Sequence, residues 1–280
     1  MVTVNTFKEN KNKKKMTMLT AYDYMTAKNI DEAGIDSILV GDSLGMVMLG
    51  YKDTLKVTVD DMIHHGAAVV RGVENAFVVV DMPFMSYQTS VYDAVSNAGR
   101  IIKETGCQAI KLEGGRKFLP QIKAIVDAGI PVVGHLGLTP QSVNQFGGYK
   151  VQGKSKNQAL ELIKDCIALE EAGVFAITLE CVPEKLARYI TSILNVSTIG
   201  IGASNACDCQ VLVWQDMTGY SDNKSAKFVK RYANLHDVEV EAFKKYKEEV
   251  ENLSYPEKAH TYLIDEEEFE SAIKEFEENR

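Results

Sequence analysis

Residues 77–84 read FVVVDMPF: an apolar run, a carboxylate at Asp81, then Met82 and a proline. A Val- and Phe-rich run with no polar alternation predicts a strand covered on both faces, because burial of one face alone would show a period of two. Four further runs end in the same way, SILVGD at Asp42, AIKLE at Glu113, PVVGH at His135 and AITLE at Glu180. One acid closing one strand is an ordinary surface carboxylate. Polar endings repeated along the chain call for a common cause.

Strand-like runs fall near residues 16–22, 37–41, 76–81, 108–113, 131–135, 174–180, 198–201 and 211–215, and most gaps carry a helical pattern such as NQALELIKDCIALEEAG. Strands alternating with helices, without a Gly/Pro-rich linker or a break in composition, predict a single (β/α)8 TIM barrel over residues 1–280 rather than two doubly wound halves. A chain of 280 residues with 45% hydrophobic content can bury such a core. Two segments flank it. Residues 1–15 contain the basic cluster KENKNKKK, and residues 264–280 form an acidic tail in which Phe269, Ile273 and Phe276 recur at helical spacing. Both ends are expected at the solvated surface, the tail helix docking a narrow apolar stripe.

Composition excludes several classes. A net charge of −8 argues against nucleic acid as a partner, since phosphate binding needs a basic face. No apolar stretch approaches the roughly 18 residues of a membrane span, and no signal core precedes the first strand, so no membrane association and a cytoplasmic location are expected. The five cysteines are odd in number and follow no disulfide or zinc spacing. The CDC at Cys207 to Cys209 lacks the further His or Cys a tetrahedral metal site requires. His64 and His65 lie on a helical segment and receive no role.

In a parallel barrel all strands end at one rim, so Asp42, Asp81, Glu113, His135 and Glu180 are expected to converge on one mouth. Carboxylates gathered there would repel one another, so a positive charge must sit among them. Hard oxygen ligands select a hard cation, and one or two carboxylates with water and substrate in the other positions is the habit of Mg2+. Asp42 and Asp81, from neighbouring strands, form the expected direct pair, and Glu113 reaches the metal through water. Lys111 lies two residues before Glu113 on the same side of its strand, and Ser43 follows Asp42. A cation and a hydroxyl beside a metal suit the carboxylate of a 2-oxo acid. A metal chelated by its ketone and carboxylate oxygens would stabilise the enolate formed when C3 loses a proton.

The strings VGDSLGM, DMPFMSY, KLEGG, GHLGLTPQS, FGGYKVQGK, LECVP and FVKRYANL, in that order between Thr20 and Leu235, resemble the motifs of the ketopantoate hydroxymethyltransferase family. The resemblance implies a phosphoenolpyruvate/pyruvate-type barrel assembled as a homodecamer, moving a one-carbon unit from 5,10-methylenetetrahydrofolate to 3-methyl-2-oxobutanoate on the way to pantothenate. Carried over residue by residue, it implies Mg2+ at Asp42 and Asp81 with Glu113 linked by water, 2-oxo acid contacts at Ser43, Asp81, Lys111 and His135, and a catalytic base at Glu180. Gly134 and Gly137 open the rim around His135, which favours a substrate hydrogen bond there. The long segment LGLTPQSVNQFGGYKVQGKS, with Gly147, Gly148 and Gly153 as hinges, reads as a lid over the site.

Departures from the family pattern cluster in GIGASNACDCQVLVWQD, at Ser204, Cys209, Trp214 and Gln215, on the expected folate side of the pocket. Two other classes stay open on sequence. One is a metal-dependent 2-oxo acid lyase or aldolase, which would need no folate. The other is a catalytically silent homologue, which would more readily have lost Glu180 or an aspartate.

Overall fold

The computed structural model describes residues 1–221 and 226–280. Strands β1 (Met16–Thr20), β2 (Ser37–Val40), β3 (Phe77–Asp81), β4 (Ala109–Glu113), β5 (Val132–Gly137), β6 (Ala176–Glu180), β7 (Ser197–Ile201) and β8 (Cys209–Leu212) pair in parallel and in sequence order. The ring closes where β8 pairs with β1, Cys209 lying opposite Met16. This is the (β/α)8 barrel the apolar runs call for.

Helix α1 (Val4–Asn10) precedes the barrel, α2 (Tyr24–Glu32) follows β1, and α3 (Leu44–Val47) with α4 (Val59–Arg71) follow β2. Then α5 (Val91–Thr105) follows β3, α6 (Leu119–Asp127) follows β4, α7 (Val143–Phe146) and α8 (Lys156–Glu171) follow β5, and α9 (Glu184–Ile193) follows β6. Past β8 come α10 (Trp214–Thr218), α11 (Leu235–Glu251) and α12 (Glu266–Glu278). Local chemistry sets the helix ends. Thr58 and Asp61 close a capping box at the start of α4, Ser155 and Gln158 do the same for α8, and Gly106 ends α5 at φ 78°.

The strands lack alternation because both faces are buried in apolar surroundings. Phe77, Val79, Ala109, Val133, Ala176 and Ile199 fill the barrel interior with Phe7. Their neighbours Val78, Val80, Ile110, Leu112, Ile177 and Leu179 pack outward, in one cluster with Ile101, Ile122, Ile125 and Leu169 of the helices. The inward series is apolar low in the barrel and polar toward the mouth: Phe77, Val79, Asp81 on β3, and Ala109, Lys111, Glu113 on β4.

Several expectations need correction. His135 does not end its strand, since β5 continues through Gly137. The last strand is Cys209–Leu212 rather than 211–215, because its register is set by pairing with β1. Residues 202–208 join β7 to β8 with no helix. The basic N-terminal segment is not a loose solvated end. Phe7 is fully buried and packs edge-on against Phe77 and Phe175, closing the floor of the barrel. Lys11 Nζ makes a buried ion pair with Asp208 at 2.8 Å, and Lys15 Nζ donates to the carbonyls of Ala206 and Cys207. The tail does form a helix, α12, but Phe269, Ile273 and Phe276 are all exposed, left uncovered by the described residues. Among the described residues, no helix is long and apolar enough to cross a membrane.

Candidate active site

The barrel mouth holds a cavity of about 270 Å3, lined on one side by Asp42, Asp81, Lys111, Glu113, His135 and Glu180. Each residue arrives by an inward position on its strand or, for Asp42, two residues past its end. The register sets Asp81 beside Lys111, Glu113 beside His135 and Gly137 beside Glu180. Asp42 follows Gly41 at the end of β2, and its backbone N–H donates to Asp81 Oδ2 at 3.1 Å. Gly137 has φ 91°, and a Cβ there would lie 2.2 Å from the Glu180 carbonyl oxygen, so only glycine lets β5 turn away across β6.

The positive charge that the carboxylates demand is partly supplied by the chain. Lys111 Nζ lies 2.6 Å from Asp81 Oδ1, both side chains almost wholly buried. Burial alone would discharge this lysine, but Asp81, Glu113 and Asp42 around it outweigh that effect and raise its pKa. His135 bridges two acids, with Nδ1 3.3 Å from Glu113 Oε1 and Nε2 3.1 Å from Glu180 Oε2. Burial and Lys111 oppose its protonation, yet the hydrogen bonds to Glu113 and Glu180 prevail and push it up to about 9.

One lysine does not balance the site. Asp42 is pushed well above the carboxylate range, first by burial and then by Asp81 and Glu113. Asp81 is raised too, by burial that Lys111 only partly offsets. Asp81 Oδ1 is buried without a directed hydrogen bond, its approach to Lys111 being a charge contact. Two desolvated carboxylates, one with an orphaned oxygen, fit a hard divalent cation. Among the described residues no three His, Cys, Asp or Glu side chains close on one point as a metal cage. The protein would therefore supply Asp42 and Asp81 and leave other positions to water and substrate, which suits Mg2+.

The six residues that sequence selected as metal or substrate ligands, Asp42, Ser43, Asp81, Lys111, Glu113 and His135, all line this cavity together with Glu180. Phe175, just before β6, lies at the barrel floor with Phe7 and Phe77, while at the mouth the neighbour of the Glu180 carboxylate is His135. The segment after β5 does cover the site, Pro140 and Tyr149 lining the cavity.

Sequence reading missed several residues. Gln141 is buried behind the acids and donates to two of them, Glu113 and Asp42, and to the Met82 carbonyl. Its place inside GHLGLTPQS was the available signal. Tyr22 shares a 2.8 Å hydrogen bond with Ser43 Oγ, and His65 Nδ1 pins the Tyr22 carbonyl oxygen at 2.7 Å, a structural task. Thr54 lines the cavity with a buried hydroxyl that has no partner among the described residues.

The opposite wall is apolar: Ile201, Val211, Val213 and Phe228, with the half-buried carboxylate of Asp216. None of the departures at Ser204, Cys209, Trp214 and Gln215 lines the cavity. Cys209 points into the barrel interior, while Cys207 packs in the outer cluster, so the CDC thiols face different layers. The Trp214 ring packs on Tyr220.

The closed parallel barrel is a fold shared with solved enzymes, among them one of the phosphoenolpyruvate mutase/isocitrate lyase superfamily. The chain superposes on 2,3-dimethylmalate lyase, a member of that superfamily, with a TM-score of 0.57 at 17% identity, covering 93% of this chain and 92% of that one. It superposes on phosphonopyruvate hydrolase in complex with oxalate and Mg2+ with a TM-score of 0.60 at 11% identity, covering 99% and 97%. At the level of sequence, residues 1–258 match the family model for ketopantoate hydroxymethyltransferase. Proteins of Clostridium novyi (strain NT) and Enterococcus faecalis (strain ATCC 700802 / V583), both named 3-methyl-2-oxobutanoate hydroxymethyltransferase, are 61% and 60% identical; each comparison covers 94% of this chain and 96% of the relative. The chain belongs to the ketopantoate hydroxymethyltransferase family, a family of transferases.

Proposed function

We propose that this enzyme transfers a hydroxymethyl group from 5,10-methylenetetrahydrofolate to 3-methyl-2-oxobutanoate, giving ketopantoate and tetrahydrofolate for pantothenate synthesis in the cytoplasm. The observation that carries the reading is the pair of buried, charge-frustrated carboxylates Asp42 and Asp81 beside Lys111. Asp42 and Asp81 would hold Mg2+, with Glu113 linked through water. When bound, the cation would polarise the 2-oxo acid's ketone and neutralise charge developing on its oxygen.

The remaining steps belong to the chain's own groups. Lys111 Nζ and Ser43 Oγ orient the oxo acid's carboxylate, and His135 donates to the substrate's oxygens. Glu180 takes the C3 proton, its carboxylate steadied by His135 Nε2 at 3.1 Å. Pro140 and Tyr149 exclude water above the carbanionic carbon. C3 then forms its bond to the folate's methylene carbon as one of that carbon's two C–N bonds breaks, the electron pair passing to nitrogen. A water molecule cleaves the second C–N bond and supplies the hydroxyl. The proton that water releases, with the one taken from C3, leaves both folate nitrogens as N–H in tetrahydrofolate. The apolar wall of Val211, Val213 and Phe228, with Asp216 as an acceptor beside it, suits the flat, donor-edged ring of a folate.

Self-association completes the proposal. Residues 235–280 include α11 and α12, in neither of which is any residue buried, yet Phe243, Tyr246, Phe269 and Phe276 stand on them. An apolar surface of this kind seeks a second copy of the chain, consistent with a homodecamer. The test of function is an assay of the pure protein with oxo acid and Mg2+, with and without the folate. Ketopantoate formed only with the folate supports the transferase. Cleavage of a 2-oxo acid adduct without it would move the assignment to a lyase.

A further inference from the structure

Gln141 belongs to the segment between β5 and α8, where Thr139 begins a tight turn at Pro140–Ser142. Its backbone N–H donates to Glu113 Oε2 at 3.0 Å. Its side-chain Nε2 donates to Asp42 Oδ2 at 2.9 Å and to the Met82 carbonyl at 2.9 Å. Its Oε1 accepts from Tyr87 Oη at 2.9 Å and from Gln88 Nε2 at 3.2 Å. Tyr87 Oη in turn holds the backbone of Glu113, accepting from its N–H at 3.1 Å and approaching its carbonyl at 2.8 Å. The side chain is buried with both ends of its amide satisfied.

Three consequences follow from this wiring. The amide cannot flip, because Oε1 faces a hydroxyl and an amide donor while Nε2 faces a carboxylate and a carbonyl. With Oδ2 of Asp42 tied, that carboxylate has one rotational setting and its other oxygen is left for a cation. One residue thereby fixes two of the three acids from different strands, and it does so with a neutral donor that adds no charge to a site already short of positive charge.

We propose that Gln141 is a positioning residue for the divalent cation: it sets Asp42 and Glu113 in the geometry the cation requires, and so links cation binding to the seating of the segment 138–153 over the mouth. The proposal rests on the cation reading given above. Because Gln141 is carried by the covering segment, the acids are aligned only when that segment is in place, and a cation that prefers aligned acids must favour the covered state by the same free energy. Outer partners of metal carboxylates typically govern affinity by about 10–100-fold.

The test is calorimetric titration of Mg2+ into the full-length protein, paired with amide hydrogen exchange of residues 143–153. Gln141→Met keeps the volume and removes the amide; Gln141→Asn keeps the amide and withdraws it by one methylene, providing a second variant if the first folds poorly. Both should bind Mg2+ about 10–100-fold more weakly. Mg2+ should slow exchange of the segment in the parent and in the control Asn144→Ala, an exposed position on the same segment, but not in the Gln141 variants. A folded Gln141 variant with parental Mg2+ affinity, or with the Mg2+-dependent slowing intact, overturns the proposal. A parent that binds no Mg2+ overturns the cation reading and this one with it.

Discussion

Replacing Glu180 by Gln isolates proton transfer from every other feature of the site. The side chain keeps its shape at the mouth end of β6, remains mostly buried, and can still meet His135 Nε2, now 3.1 Å from Glu180 Oε2. What it loses is the ability to accept a proton. A general base supplies about 10²–10⁴-fold, which at 1.36 kcal/mol per decade is about 2.7–5.4 kcal/mol in the barrier. The loss should fall on kcat rather than on oxo acid binding, since Ser43, Lys111 and Asp81 are untouched. His135 should also titrate lower, because a neutral amide favours the imidazolium less than the Glu180 carboxylate that helps raise it to about 9. The assay is proton NMR of 3-methyl-2-oxobutanoate in D2O with Mg2+ and no folate. The parent should exchange its C3 proton for deuterium, and Glu180→Gln should do so 10²–10⁴-fold more slowly. Equal rates in the two proteins would put the base elsewhere. No exchange in either, with substrate and Mg2+ both bound, would refute enolisation as the first step.

Asp42→Ala and Asp81→Ala should each abolish Mg2+-dependent activity and calorimetric Mg2+ binding, whereas Glu113→Ala should retain part of both, since its contact is expected through water. Asp216→Asn should raise KM for the folate while leaving C3 exchange without folate at the parental rate, measured in the same NMR assay. Asp208 is held below the usual carboxylate range because Lys11, Thr198 N–H and Asn12 N–H overcome the opposing effect of its burial. A lowered folded pKa gives stability that is present above about pH 3.9, the ordinary unfolded value, and lost as pH falls through the folded value. Asp208→Ala should therefore cost about 3–5 kcal/mol at neutral pH by stranding a buried lysine, and it should flatten the acid limb of a urea-unfolding series. Light scattering at micromolar concentration should give a decamer; a monomer or dimer would contradict the assembly.

Strands buried on both faces announce themselves, and so FVVVD, AIKLE and AITLE could be read directly from composition. Their polar last residues were equally legible, because only the mouth of a parallel barrel gathers strand ends from distant sequence. What sequence hid is what depends on distant pairing. β8 begins with Cys209 and Gln210, straight after Cys207 and Asp208, with no apolar run to mark its start, and only the partner β1 fixes it. Phe7 gives no hint that it closes the barrel floor, and Lys11 looks like any lysine in a basic cluster until Asp208 is brought to it. Gln141 sat in a recognised string, but a neutral amide carries no charge imbalance to draw attention to its partners. The tail shows the reverse error: Phe269, Ile273 and Phe276 have the spacing of a docked helix, yet spacing states which residues share a face and not what that face meets.

The clamp between Lys11 and Asp208 joins residues 197 apart in sequence, and β1 lies just inside it. A chain made at about 5–20 residues per second exposes β1 for roughly 10–40 s before β8 exists to pair with it. During synthesis β1 is thus an edge strand bearing Met16 and Met18 that in the finished ring are buried. The lysines at 13, 14 and 15, immediately before it, place like charges on every nascent copy and oppose the edge-to-edge pairing of neighbouring chains on one messenger.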